Sequence, residues 1–303
     1  MTIRFDNRVA IVTGAGVGLG RQHALLLAAR GAKVVVNDTG AGPDGRGGDS
    51  AVADRVVDEI RAAGGVAIAD HGDVCDPAAA QALVGAAVAA WGRLDILVNN
   101  AGILRDRSFA KIDLADFNAV MQVHLMGTVN CSHAAWPFMV QQKYGRVVVT
   151  TSVAGSNGNF GQTHYGAAKM AVLGFMNCLA IEGRKSGILV NAISPAATTR
   201  MTEALIPPAL ASQMGPELVS PAVAWLCSET CQVTAHIITA SAAGFARMQL
   251  YETQGVQFDP AQSLTLEMFD AAVDTVCDLG SATPSELGVL GNAQDRLKAI
   301  GRL

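Results

Sequence analysis

Short runs of apolar residues alternate along the chain with longer segments of helical periodicity. The short runs are apolar at consecutive positions and not at every second one, and most end in polar residues. Continuously apolar strands fit a parallel sheet that helices cover on both faces. The alternation therefore predicts a doubly wound α/β fold with right-handed crossovers. The predicted strands are RVAIVTG, AKVVVND, GVAIADH, DILVNNAG, GRVVVTTS, ILVNAISP and HIITASA.

Helix-length segments separate these strands, and the alternation stops after Gly244. We therefore predict one domain over residues 1–244 and treat residues 245–303 as an extension of it. A glycine-rich stretch, Gly40–Ser50, is too short to divide the domain. The predicted helices span residues 19–30, 50–63, 76–91, 113–142, 163–184 and 218–229 in the domain, and lie near 264–279 and 292–300 in the extension.

Composition narrows the class of protein. Half of the residues are hydrophobic and 16% are charged, so the chain can bury a large core. A net charge of −4 gives no basic surface for nucleic acid or anionic lipid. No apolar run approaches the ~20 residues of a spanning helix, and no signal peptide is visible, so we expect a cytoplasmic protein without a membrane partner.

The cysteines do not predict a metal site. Six are scattered along the chain without a CxxC pair. Cys227 and Cys231 lie one helical turn apart, but no second Cys or His pair at zinc-ligand spacing accompanies them. We expect reduced and mostly buried thiols.

A glycine turn follows the first strand. Gly14, Gly18 and Gly20 lie in TGAGVGLG, between that strand and a helix. Glycines let the backbone approach a pyrophosphate closely, and the free N–H groups of a helix N-terminus attract its charge. In this strand–turn–helix context the motif predicts a dinucleotide site. A tight structural turn would use the same residues.

An aspartate ends the second strand. The carboxylate of Asp38 can accept hydrogen bonds from the adenosine ribose and would repel a 2′-phosphate. The glycine loop has no basic residue, and none directly follows Asp38. These features predict NAD in preference to NADP. Arg46 is the one nearby cation that could reverse the preference, and the alternative role for Asp38 is a cap or turn.

A tyrosine and a lysine share one helix face in THYGAAK. Tyr165 and Lys169 are four residues apart, and Ser152 ends the fifth strand, where open α/β sheets bind ligands. A neighbouring ammonium and an oxidised nicotinamide would lower the phenol pKa toward the working range of an acid or base. A solvated helix pair is the alternative for the Tyr–Lys spacing alone.

Taken together, TGAGVGLG, NNAG and the Ser152, Tyr165 and Lys169 set resemble the short-chain dehydrogenase/reductase family over about residues 8–245. The resemblance implies a Rossmann-type, three-layer α/β/α fold with seven parallel strands in the order 3-2-1-4-5-6-7, and a homodimer or homotetramer. It implies that Tyr165 is the general acid/base, that Lys169 holds the ribose and lowers the tyrosine pKa, and that Ser152 orients the substrate oxygen. The expected cofactor contacts are Gly14, Val17, Gly18, Leu19, Gly20, Asp38, Asp73, Val74, Asn100, Ala101, Gly102, Tyr165, Lys169 and Pro195.

One position departs from the family. His124, in VHLMGT, stands where many members have an asparagine that holds a water relay to the lysine. A histidine can also bind water, and it can equally pack under the site. Both roles stay open.

Longer segments resemble one subgroup, the (3R)-hydroxyacyl-CoA dehydrogenase portion of peroxisomal multifunctional β-oxidation enzymes and its bacterial single-domain relatives. These segments include NAGILRDRSFAKI, VHLMGT and TRMTEALIP. The resemblance implies oxidation of a 3-hydroxyacyl thioester to a 3-ketoacyl thioester, and an extension packed around the active site or on a partner subunit.

The substrate end is less specified. Residues 199–215 are predicted to form a lid. Arg105 and Arg107 could meet CoA phosphates, although a salt-bridged loop is the favoured interpretation. The alternatives for function are a hydroxysteroid dehydrogenase, a 3-ketoacyl thioester reductase and a non-catalytic binding module.

Overall fold

A parallel sheet forms the centre of the molecule. The computed structural model describes residues 2–203, 206–285, 287, 298 and 300–301. Seven strands lie in the order β3-β2-β1-β4-β5-β6-β7, with parallel pairing throughout, so the predicted topology is confirmed. Their bounds are β1 Val9–Thr13, β2 Lys33–Asn37, β3 Val66–Asp70, β4 Ile96–Asn99, β5 Gly145–Thr150, β6 Ile188–Ala196 and β7 Ile237–Ser241.

The central strands are apolar because both faces of the sheet are covered. All residues of β1 and of β4 are buried. In the register, Val12 lies between Val36 of β2 and Val98 of β4, and all three are fully buried. Burial of this kind is worth about 1.5–3 kcal/mol for each such side chain. The continuous runs seen in the sequence are therefore the core of the sheet.

Helices form the two outer layers. One layer holds α1, α2 and α9, and the other holds α3, α5 and α7. Local chemistry fixes their ends, as in α3, where Asp76 accepts a hydrogen bond from Ala78 N, Pro77 occupies the first position and Gly92 ends the helix with φ 76°. The bounds are α1 Gly18–Ala29, α2 Ala51–Ala62, α3 Pro77–Trp91, α4 Leu114–Met121, α5 Gly127–Gln142, α6 Val153–Ser156, α7 Thr163–Gly183, α8 Pro208–Ala211 and α9 Ser220–Cys227.

The fourth crossover differs from its prediction. A single helix was expected over residues 113–142, but a π-helical turn, Gln122–Met126, separates α4 from α5. Such turns are rare and often occur at functional sites. His124 lies in the middle of this turn.

The sheet continues by one strand beyond the predicted seven. After β7 the chain turns back at Ala242 and Ala243 and forms β8, Gly244–Met248, beside β7. Both alanines have positive φ, 47° and 61°, as a two-residue hairpin turn requires. The prediction missed this strand because the turn has no Asn-Gly or Asp-Gly.

The chain divides into two compact units, Met1–Arg247 and Met248–Leu303. The boundary lies three residues after the predicted one. In the second unit, α10, Leu266–Val276, matches the helix predicted near 264–279, and two short strands, β9 Tyr251–Glu252 and β10 Thr283–Pro284, pair antiparallel. The helix predicted near 292–300 falls largely outside the described residues. No helix in the described part of the chain has the length and apolarity needed to cross a bilayer.

Candidate active site

A cleft of about 440 Å³ opens at the carboxyl ends of the strands. This is the edge of an open α/β sheet at which ligands bind. The expected cofactor residues that line it are Gly14, Val17, Gly18, Leu19, Asp38, Asp73, Val74, Asn100, Ala101, Gly102, Tyr165, Lys169 and Pro195. Of the predicted site residues, Gly20 and Ser152 do not line the cleft.

The glycine turn has the geometry that the sequence predicts. Gly14 and Gly18 have φ values of 61° and 55°, which other residues rarely adopt. Gly20 has a different purpose, because a Cβ there would lie 2.2 Å from Gly14 O. It lets the first turn of α1 pack directly on the loop beneath the cleft.

The loop after β4 holds the glycine turn in place. Asn100 donates from Nδ2 to the carbonyl oxygens of Thr13 and Gly14, each at 3.0 Å. Its backbone N–H donates to Thr13 Oγ1 at 3.0 Å. Asn100 therefore positions the two loops that form the floor of the cleft.

Asp38 lies in the cleft wall and binds backbone at the same time. Its Oδ2 accepts from Gly16 N at 2.8 Å and its Oδ1 accepts from Gly40 N at 2.7 Å. Each carboxylate oxygen has a second lone pair, so ribose hydroxyls can still be bound. The side chain of Arg46, the nearby cation, is 71% exposed and lies 3.9 Å from Asp44 and 3.8 Å from Asp116.

Asp73 and Val74 form the opposite wall. Asp73 Oδ1 accepts from Cys75 N at 2.9 Å, and Asn130 Nδ2 donates to Val74 O at 2.9 Å. Val74 is buried, with its methyl groups against Gly127 at the start of α5, where a Cβ would lie 2.6 Å from one of them. This wall therefore combines a carboxylate with a buried apolar side chain, and hydrogen bonds fix its backbone.

Tyr165 and Lys169 lie one turn apart on α7 and both line the cleft. Lys169 is 3% exposed, and its Nζ lies 5.5 Å from the Tyr165 ring centroid and donates to Thr150 O at 2.6 Å. Burial lowers the pKa of Lys169 to about 7. At neutral pH the lysine is thus a partial cation, with its position fixed by β5.

The pKa of Tyr165 is dominated by burial. Burial raises the pKa of the phenol, a hydrogen bond with Ser152 opposes that shift, and the charge of Asp106 adds to it. The prediction of a lowered pKa rested on the lysine together with an oxidised nicotinamide. Burial opposes that effect, because desolvation disfavours the phenolate and the ammonium alike.

Ser152 acts on Tyr165 from the end of β5. It caps the short helix α6, where its Oγ accepts from Ala154 N at 3.2 Å. The same side chain forms the hydrogen bond that lowers the Tyr165 pKa. Tyr165 therefore interacts with both Ser152 and Lys169, and of the three residues Ser152 does not line the cleft.

His124 packs against the tyrosine. The two rings are T-shaped, with centroids 5.1 Å apart. His124 Nε2 lies 2.8 Å from Ile103 O and 3.1 Å from Ile103 N, whereas Nδ1 has no hydrogen-bond partner among the described residues. Burial, and then the charge of Lys169, holds the pKa of His124 well below its usual value. The ring is neutral and packed under the site, and its Nδ1 remains available to a relay.

The glycine-rich insert forms part of the cleft that the sequence did not assign. Residues 39, 41–43, 45 and 47 line the cleft. Pro43 O accepts from Leu104 N at 2.9 Å, and Arg105 Nε donates to Asp44 O at 2.8 Å. A run of glycines directly after Asp38 was the available signal.

Arg105 is held by a salt bridge. Its guanidinium lies 2.9 Å from Asp116 of α4, which confirms the salt-bridged interpretation, while Arg107 is exposed. The same loop contacts the start of α7, since His164 Nε2 donates to Arg105 O at 3.0 Å and Gln162 Nε2 donates to Asp106 at 2.7 Å. These contacts join the insert to α7.

The segment predicted as a lid begins with an anchored turn. Thr202 Oγ1 donates to Ala197 O at 2.6 Å and accepts from Thr199 N at 2.9 Å. The turn residues, Thr199, Arg200, Met201 and Thr202, line the cleft. The residues at 204 and 205 lie outside the described part. No cluster of three or more metal-ligating side chains occurs among the residues that the structure describes.

The chain matches known proteins over most of its length. The model of the short chain dehydrogenase family matches residues 8–208. Peroxisomal multifunctional enzyme type 2 of Drosophila melanogaster is 45% identical over 300 residues, which are 98% of this chain and 49% of that protein. A putative short-chain type dehydrogenase/reductase of Mycobacterium tuberculosis is 46% identical over 259 residues, which are 86% of this chain and 91% of that protein.

Solved structures agree with these matches. The full-length fly enzyme superposes with a TM-score of 0.81 at 39% identity, covering 98% of this chain and 50% of that one. The chain thus spans about half the length of the fly enzyme. A 7α-hydroxysteroid dehydrogenase complexed with NADH and 7-oxo glycochenodeoxycholic acid superposes with a TM-score of 0.72 at 31% identity, covering 80% of this chain and 98% of that one.

Proposed function

The chain belongs to the short-chain dehydrogenase family and is an oxidoreductase acting on CH–OH groups, and from this premise we propose that it interconverts a 3-hydroxyacyl-CoA and a 3-ketoacyl-CoA with NAD. The observation that supports this most is the group of Ser152, Tyr165 and Lys169 at the cleft, in a chain 45% identical over 300 residues to the fly enzyme. The subgroup resemblance and this relative's name point to β-oxidation.

The cleft fits NAD. Its floor is a glycine turn in which Gly14 and Gly18 have positive φ, and its wall presents the Asp38 carboxylate. No basic side chain lies in the glycine loop to bind a 2′-phosphate. When bound there, the nicotinamide supplies or accepts the hydride. Tyr165 and Lys169 would contact its ribose, and Pro195 would lie beside its ring.

In oxidation, Tyr165 takes the proton of the 3-hydroxyl group as general base, and in reduction it returns that proton to the carbonyl oxygen. The hydrogen bond from Ser152 stabilises the phenolate and orients the tyrosine. Lys169, whose Nζ is fixed by Thr150 O at 2.6 Å, adds positive charge beside the ring. Desolvation of the tyrosine must be offset by these two groups together with the charge of an oxidised nicotinamide.

A hydroxysteroid dehydrogenase is the second candidate. The superposition on a 7α-hydroxysteroid dehydrogenase, with TM-score 0.72, favours it. A 3-ketoacyl thioester reductase that uses NADPH is disfavoured by Asp38. A non-catalytic binding module is disfavoured by the intact serine, tyrosine and lysine set.

Assembly and location remain predictions. We propose a homodimer or homotetramer that acts on a small-molecule acyl-CoA. The cytoplasm is the proposed location, although the fly relative is named as a peroxisomal enzyme.

A tyrosine replacement tests the mechanism. We expect Tyr165→Phe to lower turnover by about 10³-fold or more, because the proton acceptor is lost, while NADH binding is retained. Turnover is followed by NADH absorbance and binding by NADH fluorescence. The matched control is Tyr251→Phe, since Tyr251 is exposed and in the second unit. Unchanged turnover in Tyr165→Phe would contradict the proposal.

A substrate panel tests the specificity. NADH formation is measured with (3R)- and (3S)-hydroxyacyl-CoAs, steroid alcohols and simple secondary alcohols, with NADP in parallel. We expect turnover with a 3-hydroxyacyl-CoA and NAD. Activity on free steroid alcohols alone would assign the second candidate, and a preference for NADP would refute the role of Asp38.

A further inference from the structure

The basic side chains that line the cleft differ in whether they already have a binding partner. Among the described lining residues, Lys169 and Arg200 are the basic side chains other than histidine. Lys169 is buried and donates to Thr150 O. Arg200 is exposed, and its guanidinium makes no ion pair or hydrogen bond with any residue in the described ranges. Arg105, by contrast, is already bound to Asp116.

The backbone that presents Arg200 is well fixed. Thr199 and Thr202 flank it and bind each other, with Thr202 N donating to Thr199 O at 3.0 Å and Thr199 N donating to Thr202 Oγ1 at 2.9 Å. The next residue along, Met201, donates from its N–H to Thr199 Oγ1 at 3.3 Å. A fixed turn lowers the entropic cost of holding a ligand at the side chain that it presents.

This turn borders the phosphate loop. A Cβ at Gly18 would lie 3.4 Å from Thr199 Cγ2, so the two segments are directly adjacent. The glycine loop itself offers only backbone N–H groups and no basic side chain. An exposed guanidinium with five free donors is suited to bidentate binding of a phosphate.

We propose that Arg200 binds a phosphate group of the ligands that occupy the cleft. The inference rests on the proposed function, which places two phosphate-bearing molecules there. The phosphate comes either from the CoA part of the thioester or from the pyrophosphate of the dinucleotide. In the first case, Arg200 recognises the CoA that carries the acyl group. In the second case, it adds a side-chain contact to the backbone N–H groups that bind the pyrophosphate.

The test compares two thioesters of one acyl group. A 3-ketoacyl-CoA and the same 3-ketoacyl group on N-acetylcysteamine, which has no phosphate, are reduced with NADH by the full chain and by Arg200→Ala. If CoA is the source, we expect the KM for the CoA thioester to rise about tenfold, the loss of one charge-assisted contact, with the N-acetylcysteamine thioester unchanged. If the dinucleotide is the source, the KM for NADH rises instead and both thioesters are affected equally.

Two variants separate charge from structure. Arg200→Lys should recover part of the lost affinity because it keeps the charge, and Arg184→Ala, at an exposed arginine that does not line the cleft, should leave every KM unchanged. The proposal is overturned if Arg200→Ala leaves all KM values as in the wild type, or lowers kcat alone.

Failure of the Arg200 proposal can be distinguished from failure of the proposed function. If the wild-type chain turns over neither thioester, the substrate assignment has failed. Fluorescence titration with NADH then tests whether Arg200 binds the dinucleotide pyrophosphate. Arg200→Ala must weaken NADH binding by about tenfold, or the inference is wrong.

Discussion

At the residue scale, Asp38 holds the backbone and also faces the cleft. Its two oxygens accept from Gly16 N and Gly40 N, and its charge faces the cleft. From the sequence, ribose binding and a turn aspartate were alternative roles. The geometry makes them compatible, since each carboxylate oxygen can accept twice.

Replacing Asp38 with asparagine separates the two tasks. Asp38→Asn keeps one side-chain oxygen to accept from a backbone amide, but it removes the charge that would repel a 2′-phosphate. We expect the ratio of kcat/KM for NAD over NADP to fall by roughly tenfold or more, because a like-charge contact is lost. Asp44→Asn, in the same insert, is the matched control and should leave the ratio unchanged. An unaltered ratio in Asp38→Asn would show that another group excludes NADP.

A buried histidine outside the site predicts acid sensitivity. His23 of α1 is 1% exposed, its Nδ1 lies 2.8 Å from Ser220 Oγ, and burial lowers its pKa to about 3. The unfolded chain binds a proton at this residue below a pKa of about 6.5, whereas the folded chain does not until about 3. The contribution of neutral, buried His23 to the free energy of unfolding is therefore complete above pH 6.5 and is lost as the pH falls toward 3.

Urea unfolding between pH 7 and pH 4.5 measures this loss. The contribution of His23 to the free energy of unfolding should fall by about 1.4 kcal/mol for each pH unit below its unfolded pKa. His23→Gln should make the decline with pH shallower, and His133→Gln, at an exposed position, should not. If the free energy of unfolding declined with pH equally in the wild type and in His23→Gln, this role of His23 would be contradicted.

The site residues differ in how far their roles could be predicted from the sequence. The i, i+4 spacing of Tyr165 and Lys169 predicted their shared face because helix geometry is regular. The rise in the tyrosine pKa that burial causes was not predicted, because burial is a property of the tertiary structure. Arg200 had no local signal, since an unpaired guanidinium is recognised only when its neighbours in space are known.

At the element scale, the loop after β4 connects three parts of the site. Arg105 binds the insert through Asp44 O, α4 through Asp116 and, by its backbone oxygen, His164 beside Tyr165. The cofactor wall and the catalytic helix therefore share one support. Movement of the insert would be transmitted to the tyrosine through this loop.

Removal of that side chain tests the connection. We expect Arg105→Ala to lower the free energy of unfolding by about 1–3 kcal/mol, the range for a partly buried charge-assisted bond, and to raise the KM for NAD several-fold. Urea unfolding and steady-state kinetics measure the two effects. Arg107→Ala is the control, because its backbone N–H keeps the bond to Gly161 O. A loss of stability without a change in KM would limit Arg105 to a structural role.

Elements were predictable where hydrophobic periodicity determines them. All seven parallel strands and most of the long helices between them followed from apolar runs and helical periodicity. The π-helical turn did not, because the pattern of buried residues barely distinguishes i→i+5 from i→i+4 bonding over five residues. Strand β8 was missed because Ala242 and Ala243 adopt a turn that alanine disfavours.

At the scale of the whole molecule, apolar side chains remain on the outside of the helical layers. Met170 and Ile181 of α7 and Val140 of α5 are exposed. Exposed apolar groups on neighbouring helices favour association with another subunit. They support the proposed homodimer or homotetramer.

Light scattering tests the assembly. We expect a mass two or four times the 31.3 kDa of the chain. Met170→Lys or Ile181→Lys should lower the mass, because a charge cannot be buried there without a partner. Val66→Lys, at an exposed apolar residue of β3, is the control and should leave the mass unchanged. A measured mass of 31.3 kDa for the wild-type protein, that of one chain, would refute the proposed assembly.

The break between α4 and α5 constrains how this chain can vary in length. A π-helical turn accommodates one residue more than an α-helical turn, and each α-helical residue rotates the helix by about 100°. Deleting a single residue between Gln122 and Met126 would therefore allow an uninterrupted helix, with its downstream face preserved and the imidazole of His124 withdrawn from behind the phenol. Elsewhere in the same helix a deletion would turn every later side chain away from the core. The crossover thus contains one position at which a change of length alters the chemistry of the site before it alters the packing of the domain.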